Sequence, residues 1–228
     1  MKLSISTTRW ENLLGYGYLL IQLFILPNLI SSVAYLLGFT ISISVLNILC
    51  FCINFICVTS IFHRFLWESL KTTAKKPWQC LRSAALGFGI YYLAMLLTSF
   101  IIRQIEPNFS NVNDAFVIDM AQEHTKLISF CTIFLVPVVE ETLHRGLIFQ
   151  QLQKKSRLTA YCVSVLIFAG IHIMNYVGLF DWRTLILCFV QYLPAGIALA
   201  WAYEKSDTIF TPILMHISIN QIGIAALR

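Results

Sequence analysis

Residues 12–62 read NLLGYGYLLIQLFILPNLISSVAYLLGFTISISVLNILCFCINFICVTSIF, and none of these 51 residues is Asp, Glu, Lys, Arg or His. A single helix of this length would extend roughly 76 Å at 1.5 Å per residue, whereas the hydrocarbon core of a bilayer is about 30 Å thick. The segment must therefore turn back on itself. We place the turn at residues 38–42, which predicts membrane spans at 13–36 and 43–62 with a kink at Pro27.

The first span has an alternative interpretation as a secretory signal peptide. Ser32-Val33-Ala34 weakly resembles a cleavage site of the small-residue type. However, the apolar run continues without interruption through this tripeptide, whereas a signal peptide would end there. We therefore interpret the segment as a membrane anchor that the protein retains.

The composition of the whole chain also indicates a membrane protein. Of the 228 residues, 58% are apolar and only 12% are charged, and the mean hydropathy is +0.75. A soluble domain carries about 25% charged residues, so soluble, disordered, collagen-like and soluble nucleic-acid-binding classes are excluded. The seven cysteines are odd in number and include no CxxC pair, which favours reduced thiols over a disulfide or zinc framework.

Five further apolar segments follow, at residues 83–102, 127–152, 158–180, 184–203 and 208–227. The sequence therefore predicts an all-α protein, a polytopic membrane helix bundle of about seven transmembrane spans, with a range of six to eight. We expect residues 1–228 to form a single integral membrane domain. The basic segment 63–82 is broken by Pro77, and we expect it on the inner membrane surface with Trp67 and Trp78 as interfacial anchors.

The distribution of basic residues predicts the orientation in the membrane. With a cytoplasmic N-terminus, eleven bases lie inside and four lie outside, as the positive-inside rule requires. The inside set is Lys2, Arg9, Arg64, Lys71, Lys75, Lys76, Arg82, Lys154, Lys155, Arg157 and Lys205, and the outside set is Arg103, Lys126, Arg183 and Arg228. We expect a substrate to reach the protein from the basic cytoplasmic side.

The centre of the fourth predicted span is polar, with the sequence VEETLHRG at residues 139–146. Charged residues at this depth cost about 2.5–3.5 kcal/mol each and are rarely kept without a use. Helical spacing places Glu140 and His144 on one face, and Glu141 and Arg145 on a face rotated by roughly 100°. We expect Glu141 and Arg145 to neutralise each other as a scaffold, and Glu140 and His144 to point into a cavity.

Two other spans carry notable pairs one helical turn apart, Phe168 with His172 and His216 with Asn220. Counted inward from the cytoplasmic charges, Glu140, His172 and Asn220 lie about 20–22 Å deep and His216 about 13 Å deep, at 1.5 Å per residue. The similar depths predict one pocket inside the bundle. Phe168 is expected to pack beneath His172.

These residue types suit hydrolysis by an activated water. A buried carboxylate and an imidazole can share a proton, so Glu140 and His172 can deprotonate water. His216 and Asn220 can donate hydrogen bonds to the oxyanion of a tetrahedral intermediate. No Ser or Cys immediately adjoins these residues, which favours water as the nucleophile. A proton-coupled membrane transporter would use the same buried polar cluster, and it is the alternative from another functional class.

The motifs together resemble the signature of the CAAX protease and bacteriocin-processing (Abi) family of intramembrane endopeptidases. The matching positions are Glu140-Glu141-x-x-x-Arg145, Phe168-x-x-x-His172 and His216-x-x-x-Asn220. The resemblance covers a family-like catalytic core at residues 125–221 and leaves residues 1–124 as generic membrane helices. It implies that Glu140 and His172 activate water, that His216 and Asn220 stabilise the oxyanion, and that Glu141 and Arg145 support them.

The family pattern is broken at one position, where His144 replaces an aromatic or apolar residue. This third imidazole raises the question of a metal, because family members have been described as metalloproteases and as metal-free glutamate peptidases. Glu140, His172 and His216 would be the ligands of a zinc ion. The chain has no HExxH motif, and Asn220 suits an oxyanion donor better than a zinc ligand. We therefore favour metal-free chemistry and expect no cofactor.

The resemblance also implies partners and a location. The expected partners are membrane lipids and a peptide or membrane-anchored protein substrate, prenylated or not, with no nucleic acid. The expected location is a bacterial plasma membrane, with the N-terminus in the cytoplasm. Prenyl-protein processing, peptide maturation and bacteriocin self-immunity all remain open as roles, and so does a non-enzymatic immunity or binding protein with the same fold.

Overall fold

Polar caps and prolines divide the apolar chain into separate helices. The computed structural model of the protein describes residues 3–123 and 125–226, and within these ranges it contains nine helices and no β-strand. The helices are α1 (Arg9–Leu36), α2 (Ile43–Ile61), α3 (His63–Lys75), α4 (Pro77–Ile105), α5 (Val112–Glu123), α6 (Lys126–Gln153), α7 (Arg157–Met174), α8 (Trp182–Ser206) and α9 (Phe210–Ala226). Lys2, Leu227 and Arg228, which entered the span and charge predictions, lie outside the described residues.

Six of these helices are long and apolar enough to cross a bilayer, namely α1, α2, α4, α6, α7 and α8. The predicted all-α membrane bundle is therefore confirmed, at the lower end of the predicted range of spans. The seventh predicted span corresponds to α9, which has 17 described residues, a length at the lower limit for a transmembrane helix. All seven cysteines are free, as predicted.

The turn between α1 and α2 lies where the sequence predicts it. Gly38 has a φ of +75°, a left-handed conformation that glycine adopts without strain, and the Ser42 side chain then accepts from the backbone N–H of Val45 at the start of α2. Within α1, a π-helical stretch at Ile21–Ile25 directly precedes Pro27. The same arrangement recurs in α6, where the π-helical stretch Cys131–Leu135 precedes Pro137. A proline cannot continue the regular hydrogen-bond ladder, so both irregularities have a local cause.

The buried core brings the first helices against the segment of α6 that carries the polar motif. Phe62 and Phe65 are fully buried in one cluster with Leu147 and Phe149. Gly15 of α1 touches this cluster so closely that a Cβ atom there would lie 2.5 Å from the Phe62 ring. The absence of a side chain at this position therefore allows α1 to pack directly on the core.

The basic end of the bundle is held together by hydrogen bonds from the N-terminal segment. The backbone N–H and the hydroxyl of Ser4 donate to the Asp207 carboxylate at 2.7 and 2.6 Å. The backbone N–H of Thr7 donates to Gln150 Oε1 at 3.0 Å. At the same end, the buried Glu204 accepts from Arg157 at 2.7 and 2.8 Å. These contacts join the chain start to the ends of α6, α7 and α8.

Two segments between the predicted membrane spans are helical. The expected surface segment 63–82 is divided at Pro77 between α3 and the first turns of α4, and Trp67 and Trp78 are exposed on these helices. The segment 103–126, between the predicted spans at 83–102 and 127–152, contains α5. This helix begins after Asn111, whose side chain accepts from the backbone N–H of Asn113 at 2.9 Å. An Asn before an apolar helical run is a helix-start signal that the sequence interpretation overlooked.

Candidate active site

Glu141 and Arg145 form a fully buried ion pair on α6. Both side chains are 0% exposed, and Arg145 Nη1 donates to Glu141 Oε1 at 2.9 Å. Arg145 Nη2 donates to the carbonyl oxygen of Gly196 on α8 at 3.0 Å, and the guanidinium lies 4.5 Å from the ring centroid of Phe168 on α7. The pair therefore links three helices, as expected of a scaffold.

The helix geometry changes directly after the two glutamates. Residues Thr142–Phe149 form a π-helical stretch that is buried along its whole length. Such stretches are rare and occur frequently at functional sites, because the wider turn shifts side chains relative to those of a regular helix. The polar motif thus lies where α6 departs from ideal geometry.

His216 of α9 connects this ion pair to its neighbour Glu140. Its Nδ1 lies 2.8 Å from Glu141 Oε1, and its Nε2 lies 3.9 Å from Glu140 Oε2. Because Glu141 Oε1 also accepts from Arg145, this oxygen acts as an acceptor and Nδ1 of His216 is the donor. The second ring nitrogen is thereby directed at Glu140.

His172 approaches Glu140 from α7 in the same way. Its Nδ1 donates to the carbonyl oxygen of Phe168 at 2.7 Å, since a carbonyl oxygen only accepts. In the neutral ring, Nε2 then carries no proton and is free to act as a base. This Nε2 lies 3.9 Å from Glu140 Oε2. Two imidazole nitrogens therefore face one carboxylate oxygen at equal distances.

Glu140 itself makes no side-chain hydrogen bond within the described part of the chain, and its Oε2 is buried without a partner. Its side chain is 20% exposed, against 0% for Glu141. Separations of 3.9 Å are too long for direct hydrogen bonds but suit a group held between the carboxylate and the imidazoles. The arrangement can therefore place one small polar molecule against the side chains of Glu140, His172 and His216.

The expectation that His144 points into the cavity beside Glu140 is wrong. His144 is 2% exposed and is not among the residues that line the cavity. Its Nδ1 donates to the backbone carbonyl of Glu140 at 2.8 Å, and its ring meets Phe168 edge-on at 5.4 Å between centroids. The π-helical stretch that begins at Thr142 alters the side-chain directions that regular helical spacing implied.

Phe168 and Asn220 lie where the sequence pattern predicts them, in the same layer as the catalytic groups. The Phe168 ring packs against His172 with centroids 4.7 Å apart. Asn220 Nδ2 donates one hydrogen to the carbonyl oxygen of Thr132 at 2.8 Å. The amide nitrogen carries a second hydrogen, which can serve a ligand in the cavity.

These residues line a cavity of about 370 Å³. Glu140, His172, His216 and Asn220 all contribute to its wall, so the structure brings the four predicted catalytic residues together. The wall also includes residues that precede the family-like core. The complete lining is Phe51, Tyr91, Met95, Asn111, Asn113, Asp114, Val117, Thr132, Val136, Glu140, Phe168, His172, Gln191, Tyr192, Ala195, His216, Ile219, Asn220, Gly223 and Ile224.

A polar network at the α5 end of the cavity was missed by the sequence analysis. The Tyr192 ring stacks on His172 with centroids 4.2 Å apart, and its hydroxyl lies 3.1 Å from Asp114 Oδ1 and 2.9 Å from Asn113 Nδ2. Asn111 donates to Gln191 at 2.8 Å. Only the Asn–Asn–Asp cluster at residues 111–114 offered a signal, because a tyrosine in an apolar span is ordinary.

The cavity lies toward the end of the bundle opposite the basic one. His172 is two residues from the end of α7, and Asn111, Asn113 and Asp114 belong to the start of α5. The basic residues Lys154, Lys155 and Arg157 lie at the other ends of α6 and α7. The cavity therefore borders the α5 end, and the expected approach of a substrate from the basic side stays a prediction.

Within residues 3–123 and 125–226, no three His, Cys, Asp or Glu side chains have the spacing of a metal site. The three ligands considered for zinc, Glu140, His172 and His216, do face one another. Metal-free chemistry accordingly stays a prediction.

Comparison with known protein families confirms the resemblance of the catalytic segment. Residues 122–222 match the family model described as type II CAAX prenyl endopeptidase Rce1-like. The match contains all three polar motifs and begins near the predicted boundary of the catalytic core. No curated protein and no solved structure matches the chain. The match supports a membrane-embedded endopeptidase in general terms.

Proposed function

We propose that this protein is an intramembrane endopeptidase in which Glu140 and His172 activate a water molecule. The observation that carries the proposal is the position of Glu140 Oε2, which lies 3.9 Å from Nε2 of both His172 and His216 at the wall of a cavity within the helix bundle. The similarity of residues 122–222 to CAAX prenyl endopeptidases supports the same reaction class.

The proposed first step is attack of water on the carbonyl carbon of the substrate peptide. As the oxygen–carbon bond forms, one water proton passes to Oε2 of Glu140. The carbon–nitrogen bond then breaks, and the proton is delivered to the leaving amine nitrogen. His172 supports the transfer because its unprotonated Nε2 faces the same oxygen. General acid–base catalysis of this kind contributes typically 10²–10⁴-fold to a rate.

His216 and Asn220 are the proposed donors to the oxyanion. His216 donates from Nε2 only as an imidazolium, because its Nδ1 hydrogen is directed at Glu141. With His216 in that form, two glutamates, one arginine and one protonated histidine sum to zero charge. Asn220 adds its free amide hydrogen. One such donor is typically worth about 2.7–4 kcal/mol in the transition state.

The proposed substrate is a peptide or a membrane-anchored protein whose cleavage site reaches the α5 end of the cavity. With the N-terminus in the cytoplasm of a bacterium, this end lies outside the plasma membrane. That orientation favours peptide maturation or an immunity function over the processing of prenylated cytoplasmic proteins. A protease-sensitive tag inserted at residues 175–181 would be removed from intact cells; a protected tag would reverse the orientation.

Cells that express the wild-type protein or the Glu140→Gln variant provide the test. Membrane proteins are compared by mass spectrometry for new peptide termini. We expect a defined set of termini with the wild-type protein that is lost with Glu140→Gln. The matched control is Glu68→Gln, which changes an exposed glutamate paired with Lys71 on α3. Identical termini with Glu140→Gln and wild type would refute catalysis. In that case, proton flux that persists in the Glu140→Gln variant would favour a transporter, and immunity that persists would favour a binding protein.

The proposed metal-free chemistry requires a separate measurement. Purified protein is analysed for bound zinc and assayed for cleavage before and after treatment with a chelator. We expect no stoichiometric metal and an unchanged rate. Loss of zinc together with activity would instead assign Glu140, His172 and His216 as metal ligands.

A further inference from the structure

Carboxylates line the cavity wall without a Lys or Arg beside them in the described lining. The described lining residues include two carboxylates, Glu140 and Asp114, and neither Lys nor Arg. Arg145 is the cation nearest in sequence to the catalytic residues, but it is 0% exposed and bound to Glu141 and to the Gly196 carbonyl. Apart from the imidazolium proposed for His216 beside Glu140, a substrate carboxylate would therefore meet no cationic side chain in the described lining, whereas a cation at the α5 end would meet Asp114.

Asp114 is available to such a ligand. It lies in the first turn of α5, where its backbone N–H donates to Asn111 Oδ1 at 3.3 Å. Its carboxylate accepts one hydrogen bond, from Tyr192 at 3.1 Å. The residue is exposed, and no Lys or Arg in the described ranges forms an ion pair with it. Its hydrogen bond fixes the position of the carboxylate while leaving its charge uncompensated.

Tyr192 also fixes the distance between Asp114 and the catalytic groups. One face of its ring stacks on His172, and its hydroxyl group reaches Asp114. These contacts place the Asp114 carboxylate at most roughly 10 Å from the His172 ring, a distance that an extended chain spans with about three residues at ~3.4 Å each. A peptide bound at Glu140 can therefore place a side chain near Asp114.

We propose that Asp114 is a specificity-determining residue that binds a Lys or Arg side chain, or a free amino group, of the substrate about three residues from the cleaved bond. The proposal rests on the proposed endopeptidase function and names its substrate class. A substrate with an acidic side chain or a terminal carboxylate at that position is disfavoured, because it would face Asp114 without a counter-charge.

An unbiased peptide library provides the test. Purified protein in detergent is incubated with a pool of peptides that is random in sequence, and the products are sequenced by mass spectrometry. We expect Lys and Arg to be enriched about fivefold at one position two to four residues from the cut, as one partly exposed charge pair allows. The enrichment should fall to about one with Asp114→Asn, and persist with Asp114→Glu. The matched control Asp119→Asn removes an exposed carboxylate on the same helix that does not line the cavity.

The outcomes separate the two proposals. Cleavage that depends on Glu140 but shows no enrichment of basic residues, or an enrichment that survives Asp114→Asn, would overturn the role of Asp114 and leave the endopeptidase intact. Absence of any cleavage that depends on Glu140 would refute the endopeptidase, and the specificity proposal with it. The wild-type profile alone shows whether basic residues are enriched, so that part of the test does not depend on the folding of a variant.

Discussion

Glu140 and Glu141 are adjacent residues of one type, but they lie in opposite environments. Glu141 is 0% exposed and holds Arg145 and His216 through one oxygen at 2.9 and 2.8 Å. Glu140 is 20% exposed at the cavity wall and has no side-chain hydrogen bond within residues 3–123 and 125–226. One carboxylate is therefore used to join helices, and the other is left able to take a proton.

The difference follows from which neighbours each residue meets after a rotation of about 100° along the helix. Glu141 turns toward His216 of α9, and the guanidinium of Arg145 on its own helix compensates its charge. Glu140 turns toward the cavity, where both histidine contacts are at 3.9 Å. A buried charge without compensation is costly, which explains why the fully buried Glu141 is paired with Arg145.

The largest effect is expected when the unpaired glutamate loses its charge. Glu140→Gln keeps the size of the side chain but removes the proposed base, so cleavage of a library peptide should fall about 10²–10⁴-fold. The Glu140 side chain makes no hydrogen bond within the described residues. The temperature of thermal unfolding in detergent should therefore shift little. A variant that unfolds at a much lower temperature would show that Glu140 is also structural, and the contrast with Glu141 would be lost.

The paired glutamate should respond in the opposite way. Glu141→Gln leaves the buried Arg145 guanidinium without its carboxylate, and breaking such a pair costs about 3–5 kcal/mol of unfolding free energy. Denaturant unfolding in detergent measures this loss. The double variant Glu141→Gln with Arg145→Met should regain part of the stability, because no unpaired charge remains. Equal stability of wild type and Glu141→Gln would contradict the scaffold role.

A third variant examines the oxyanion side of the site. Asn220→Ala removes the amide whose second hydrogen is the proposed donor, so kcat should fall about 10²–10³-fold. The binding of the ground-state peptide should change little, and KM reports this. A rise in KM with an unchanged kcat would indicate that Asn220 binds the substrate rather than the oxyanion.

Much of the fold was predictable from the sequence because its signals are local. Fifty-one residues without a charge force a helical hairpin, and Gly38 and Ser42 mark its turn. The convergence of Glu140, His172, His216 and Asn220 was predictable from depth, since residues at one level of a bundle have few places to meet.

The remaining features of the site depend on local helix geometry and tertiary contacts that the sequence motifs do not specify. The side-chain direction of His144 follows from the π-helical stretch Thr142–Phe149, whereas the prediction required the spacing of a regular α-helix. The Glu141–His216 contact joins residues 75 positions apart. Tyr192 and α5 reach the site only through tertiary packing, and their residue types are equally common on surfaces that have no function.

The smallest effect is expected at Tyr192, which belongs to the Glu140 side of the comparison. Its ring stacks on His172 at 4.2 Å, and such aromatic contacts are worth about 0.5–1.5 kcal/mol. Tyr192→Leu should therefore lower kcat about two- to tenfold, whereas Tyr192→Phe keeps the ring and should keep most of the rate. Rate constants of both variants, with thermal unfolding as a check on folding, measure this. If Tyr192→Leu lowers the stability as much as Glu141→Gln does, His172 is held by the same rigid scaffold as His216. The contrast between a structural role for Glu141 and a non-structural role for Glu140 would then be wrong.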